Sequence, residues 1–176
     1  MTFNETYLSL IKLGIGHEAE VPAVVDWKAV RNLASGQGLA AIVLDGVKVL
    51  MEKGSSALAS MDIDFKFDWM AESVVVYEQR YKEYRKTIAS LAKFYAEHGF
   101  KMMVLKGYGL SLNYPIPKHR PCGDIDIWQF GQYKEADEAL SQELGIEIDN
   151  GHHHHTVFGY KGYAVENHYV IIRICE

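Results

Sequence analysis

The strongest constraint on the fold is a periodic stripe of apolar and aromatic side chains in the middle of the chain. Between Trp69 and His98, the residues Tyr77, Tyr81, Tyr84, Ile88, Leu91 and Tyr95 recur at intervals of four, three, four, three and four. That spacing is one face of an α-helix. About thirty residues rising 1.5 Å each make a rod of roughly 45 Å. A long helix with one apolar face needs something to pack against that face. The stripe reads as core packing rather than as a ligand box, because buried aromatics are first of all packing residues. Gly99 ends the helix, and the sequence pattern changes directly after it.

Before the stripe the chain reads as helical. Tyr7, Leu8, Leu10 and Ile11 mark a helix from Phe3 to Leu13, closed by Gly14. Asp26 is placed to cap a second helix running through Ala34. A third, largely apolar helix covers Leu39 to Met51 and breaks at Gly54-Ser55-Ser56. After Gly99, Phe100 to Leu105 has the length of a strand and Gly107 to Asn113 that of a short helix. Tyr114-Pro115-Ile116-Pro117 is a loop, since each proline biases its predecessor away from helix. Gly123 to Phe130 alternates as a strand, Tyr133 to Leu144 is helical, and His153–Tyr160 and Gly162–Ile172 are strands joined by a Lys161-Gly162 turn. The order predicts an α/β (α+β) fold, a mixed β-sheet with flanking helices preceded by an α-helical N-terminal region. The expected division is a helical region over residues 1–98, packing on a core over residues 99–176.

Composition narrows the class. Hydrophobic residues are 48% of 176, enough to build a core and exclude global disorder. The net charge of −5 argues against a bulk electrostatic grip on long nucleic acid. No apolar run is long enough to span a membrane, and the N-terminus lacks a secretory leader pattern. The two cysteines, Cys122 and Cys175, are too few for a disulfide scaffold. A cytoplasmic location is expected.

The net charge hides a local asymmetry. No acid lies between His98 and Gly123, while Lys101, Lys106, Lys118, His119 and Arg120 do. Asp124 and Asp126 follow at once. Such a run is also what a solvated loop beside a surface turn would show. Three motifs nevertheless fall in a telling order. Leu105-Lys106-Gly107-Tyr108-Gly109 carries a strand into a helix, where free backbone amides favour an anion and glycine permits close approach. Gly123-Asp124-Ile125-Asp126-Ile127 puts two carboxylates on one face of one strand. They repel one another unless a cation sits between them. Val165-Glu166-Asn167-His168 adds a third carboxylate on a later strand. Carboxylates together with substrate phosphates are the ligands magnesium takes.

Together with Tyr114-Pro115 and Arg120-Pro121-Cys122 these motifs resemble the uncharacterised nucleotidyltransferase family of the polymerase-β-like superfamily, over most of the chain. The resemblance implies a nucleoside triphosphate donor and two Mg2+ ions. It assigns Asp124, Asp126 and Glu166 as catalytic and metal-binding carboxylates, with Glu166 also a candidate to deprotonate the acceptor. Lys106, Gly107, Tyr108, Arg120, Gly123 and His168 would line the nucleotide. Members usually carry Gly or Ser where Tyr108 stands, often Asp where Glu166 stands, and further helices beyond the last strand. The expectation is either a core shortened at its C-terminus or a cleft open on one side.

The implied reaction transfers a nucleoside monophosphate to a hydroxyl or phosphate acceptor. The alternative is an inactive nucleotide- or protein-binding module of the same fold. A third reading is a transition-metal phosphohydrolase built on His152, His153, His154 and His155. Those histidines read first as an exposed polar strand start, next as a lining of the site, and last as adventitious metal ligands. His168 reads as cleft lining or as a hydrogen-bonded core residue. Arg120 suits bidentate phosphate binding or a structural salt bridge. Cys122 has no evident base partner and reads as a small packing residue. Asp62-Ile63-Asp64 lacks the preceding glycine motif and reads as surface or helix-capping.

Overall fold

A computed structural model describes residues 1–170, and the described chain divides into two compact units. The first comprises Met1–Tyr81 and Asn113–Pro121, and the second Lys82–Leu112 and the chain from Cys122 onward. The division falls inside the long helix, at Tyr81/Lys82, whereas the sequence suggests a break after His98.

The first unit is helical. Helix α1 (Phe3–Gly14) opens with a capping box in which Thr2 and Glu5 satisfy each other's backbone amides. Helix α2 (Trp27–Gly36) starts at the expected cap, where the Asp26 carboxylate accepts from the Ala29 amide at 3.0 Å. Helix α3 (Ala40–Glu52) follows, then a 3-10 turn (Ser56–Ser60) and α4 (Ile63–Met70). Asp62 caps α4 by accepting from the Phe65 amide at 2.9 Å, so the second Asp-x-Asp pair has the capping role read for it. A π-helical segment (Ala71–Val75) leads directly into α5 (Val76–Glu97). The helical run thus begins at Ile63, earlier than the expected Trp69. Leu10, Val30, Val43, Val47 and Trp69 form the centre of this unit's core.

Helices α1 and α3 touch backbone to backbone. A Cβ on Gly14 would collide with the Ile42 carbonyl, and one on Gly46 with the Leu10 carbonyl. This reciprocal glycine contact sets the distance between the two helices.

The second unit is a mixed sheet with helices. Strands β1 (Met103–Val104), β2 (Ile125–Trp128), β3 (His155–Tyr160) and β4 (Tyr163–His168) lie in the order β1-β2-β4-β3. Only the β2–β4 pair is parallel. Helix α6 (Lys106–Ser111) follows β1, and α7 (Tyr133–Leu144) links β2 to the hairpin, with the residue range expected from its pattern. The hairpin turns at Lys161 and Gly162, both at positive φ (48° and 85°), as a primed turn requires. Ile125, Ile127, Phe158 and Val165 point from the sheet into a core with Tyr84, Leu91 and Tyr95 of α5 and Leu140 of α7. The aromatic stripe is packing, as read, and its members divide between units: Tyr77 packs on the first core, Tyr84 to Tyr95 build the second.

The strands are shorter than the sequence suggests. Phe100 to Leu105 reduces to two paired residues, because β1 matches only Ile127 and Trp128 before the chain turns into α6. The strand expected over Gly123–Phe130 begins at Ile125, leaving Asp124 just outside it. His152, His153 and His154 precede β3 rather than joining it. The end of the last expected strand lies outside the described residues, as does Cys175.

Replacing Gly46 by Val should therefore lower stability by about 1–3 kcal/mol or more, the usual range for overpacking. Gly36→Ala, where nothing lies within 4 Å of the added carbon, should change stability by under ~1 kcal/mol. Urea unfolding midpoints of the two variants check this. Equal midpoints would contradict the backbone contact.

Candidate functional site

The parallel pairing of β2 with β4 builds the site. Its register sets Asp126 opposite Glu166 and Trp128 opposite His168. The β3–β4 register sets His155 opposite His168. Because side chains alternate along strands, Asp126, Glu166, His168 and His155 share the face turned away from the unit's core. At the end of β1, the Leu105 amide donates to the Asp126 carbonyl at 2.8 Å, and the chain then bends at Lys106. Lys106 has φ 29°, a region that costs a residue with a Cβ.

That bend delivers an ammonium group to the carboxylates. Lys106 Nζ donates to Asp126 Oδ1 at 2.8 Å, lies 3.8 Å from Glu166 Oε2, and stands 3.3 Å from His168 Nε2. His168 Nε2 is itself 2.9 Å from Asp126 Oδ1 and 3.3 Å from Glu166 Oε2. His155 Nε2 is 4.0 Å from Glu166 Oε1. The ligating atoms of His155, Glu166 and His168 all fall within 4.8 Å of one another. The side chains of Asp126 and His168 are 9% and 10% exposed, while that of Lys106 is 58% exposed. A largely buried carboxylate therefore faces a partly solvated cation.

The electrostatics follow. Burial opposes ionisation of Asp126, but the hydrogen bonds from Lys106 and His168 outweigh it and hold the carboxyl below its ordinary value. The same contact with Asp126 holds the Lys106 ammonium above its ordinary value. Burial pulls the His155 imidazole down, favouring its neutral form. The oxygens that hold this ammonium are of the kind that take a hard divalent cation, and a positive nitrogen already sits among them.

A second network backs the site from the core side of the sheet. Asn167 lies between Glu166 and His168 and points the other way. Its Nδ2 donates to Gln129 Oε1 at 2.8 Å and to Asp137 Oδ1 at 2.9 Å. Thr156 donates to the other Asp137 oxygen at 2.6 Å. Burial raises the Asp137 carboxyl despite these bonds. The network ties β3, β4 and α7 together beneath Glu166 and His168. Nothing in the motif pattern pointed to it.

The remaining expected residues are placed as follows. Asp124 is exposed, one residue before β2, and its backbone carbonyl accepts from the Tyr84 hydroxyl at 2.6 Å. Gly123 has open space around it. Gly107 lies in the first turn of α6, which is only six residues long. The Tyr108 ring packs against the second unit's core, 6.4 Å from the Tyr84 ring, so its bulk serves packing. Cys122 packs against the same core. Arg120 belongs to the other unit, with its guanidinium 5.9 Å from the Tyr114 ring centre and donating to the Pro121 carbonyl at 3.1 Å. Its neighbours also serve that unit. Lys118 pairs with Glu78 at 2.9 Å, and His119 lies 2.7 Å from Asp45 and 3.2 Å from Glu78. Of the histidine run, only His155 reaches the cluster, while His152, His153 and His154 are exposed.

The depressed Asp126 carboxyl has a pH consequence. Its contribution to stability is complete above the unfolded carboxylate value of roughly 3.9 and is lost as pH falls through the lower folded value. The melting-temperature gap between the wild type and Asp126→Asn should thus narrow steadily below about pH 4. A gap unchanged from neutral pH to pH 3 would contradict the assigned contacts.

Among known proteins, a family model described as an uncharacterised nucleotidyltransferase matches residues 23–175. No curated protein and no solved structure matches the chain. The match spans both units, and it includes Lys106, Asp124, Asp126, Glu166 and His168. The chain belongs to the uncharacterised nucleotidyltransferase family.

Proposed function

We propose that the chain transfers a nucleoside monophosphate from a nucleoside triphosphate to a hydroxyl or phosphate acceptor. The acceptor oxygen would bond to the α-phosphorus as the bond to pyrophosphate breaks. The observation that carries this reading is the juxtaposition of Asp126 and Glu166 across the parallel strand pair, with a cation already between them. Family membership supplies the nucleotide substrate class. Asp124, Asp126 and Glu166 would hold Mg2+, which when bound neutralises the charge of the phosphates and of the attacking and leaving oxygens.

The chain's own residues do the rest. Lys106 is a tethered cation on an exposed stem. Its exposed stem would let it bind a phosphate oxygen beside the carboxylates. Gly123 leaves room beside Asp124 for a bulky ligand. Gly107 and the adjoining amides of α6 approach the phosphates, and Tyr108 steadies that turn from the core side. His168 orients Asp126 through its 2.9 Å contact. Arg120 is assigned to the phosphates on the motif alone. The alternative, a binding module without turnover, is favoured by one observation: Lys106 and His168 already occupy Asp126 Oδ1, at 2.8 and 2.9 Å.

Thermal-shift and calorimetric titration with each of the four nucleoside triphosphates, with and without magnesium, decides between them. Saturation at a hundred times Kd should stabilise the wild type by about 2.7 kcal/mol. Asp124→Ala/Asp126→Ala should lose that gain. Release of pyrophosphate in the presence of an acceptor would establish turnover. No binding of any triphosphate by a folded sample would overturn the proposal, and tight binding without turnover under any acceptor would favour the module.

A further inference from the structure

The trio His155, Glu166 and His168 has a chemistry that carboxylates alone do not. Two imidazole nitrogens and one carboxylate converge from the paired strands β3 and β4, and their ligating atoms lie within 4.8 Å of one another. Bound to a metal at about 2.0–2.2 Å, such ligands stand roughly 3.0–3.6 Å apart. The His168–Glu166 separation is already 3.3 Å, and His155–Glu166 at 4.0 Å needs only a small inward move. Magnesium prefers oxygen ligands and its own waters, whereas imidazole suits the first-row transition metals.

We propose that His155, Glu166 and His168 form a site for a single transition-metal dication of the zinc or cobalt kind, beside the Asp124/Asp126 position. The proposal extends the site described above but does not need transferase activity. It rests on three side chains held in register by the β3–β4 hairpin. His155 stands opposite His168, and Glu166 lies two residues before His168 on the same face. A cation already stands at the trio's edge: Lys106 Nζ is 3.8 Å from Glu166 Oε2 and 3.3 Å from His168 Nε2, whose 2.9 Å hydrogen bond to Asp126 a bound metal would replace. Metal entry displaces that ammonium, whose exposed stem lets it leave without breaking packing. Lys106 is thus a competitor for the metal, and its charge keeps the cluster satisfied when none is bound. The histidines before β3 are exposed and are not among the converging ligands, although the His152 ring stacks on His155 at 4.8 Å.

The test uses the full chain, stripped of metal and titrated with Zn2+ by calorimetry and with Co2+ by visible absorption. The expected result is one equivalent bound, with a Co2+ spectrum showing nitrogen ligation. His155→Ala should weaken binding by ~10- to 100-fold or more, since losing a direct ligand costs at least as much as losing a group that orients one. His168→Gln provides a second ligand variant should His155→Ala fold poorly, as judged by circular dichroism. Removing the exposed run with His152→Ala/His153→Ala/His154→Ala should leave the tight equivalent intact, and Lys106→Met should tighten it. Unchanged binding in both ligand variants would overturn the proposal. So would loss of binding in the triple variant, which would mean an adventitious ion only. Asp124→Ala lies outside the trio. Zinc binding kept by that variant while triphosphate binding is lost, or the reverse in His155→Ala, separates failure of this site from failure of the transferase reading.

Discussion

Two carboxylates set side by side by a backbone register are the feature on which the site depends. The parallel pairing of β2 and β4 makes Asp126 and Glu166 direct neighbours, and no side-chain rearrangement can undo a strand register. Like charges so placed destabilise the sheet unless something positive lies between them. The chain supplies Lys106 from the bend after β1, at a backbone conformation unfavourable for lysine. The strained backbone, the paired acids and the exposed ammonium make one arrangement, in which Lys106 neutralises the carboxylates that the register brings together.

The opposite face of β4 explains why that arrangement is held firmly. Asn167 is fastened to Gln129 and Asp137, and Thr156 to Asp137, so β3, β4 and α7 share one buried polar network. Glu166 and His168 flank Asn167 and inherit its position. The network is only partly satisfied, since Gln129 Nε2 and Asn167 Oδ1 are buried without a hydrogen-bond partner among the described residues, so its three bonds position β4 at a cost. Further positive charges of the basic stretch, Lys118 and His119, are used by the first unit. Burial pulls the His119 imidazole down, but Asp45 and Glu78 on its two nitrogens outweigh burial and hold it above its ordinary value.

Much of this was legible in the residues. The caps Asp26 and Asp62, the range of α7 and the Lys161-Gly162 turn follow from local chemistry, which a sequence displays directly. Of the residues named by the glycine motif and the three acids, the structure brings Lys106, Asp126 and Glu166 together, while Asp124 stays outside β2. What stayed hidden was non-local. No periodicity tells that residues 113–121 join the first unit through His119, or that β1 is cut to two residues by a short partner. Nor does it tell which of four adjacent histidines enters the site. Only the β3–β4 register singles out His155.

On the proposed reading, the β2–β4 register builds a cation and nucleotide site around Asp126 and Glu166. The most direct measurement is a crystal structure of the chain grown with Mn2+ and a non-hydrolysable nucleoside triphosphate, read by manganese anomalous scattering. The account predicts an anomalous peak coordinated by Asp126, with the triphosphate on it and the Lys106 ammonium moved from the carboxylate to a phosphate oxygen. A nucleotide bound elsewhere, with Lys106 still donating to Asp126 and no peak on that sheet face, would contradict it.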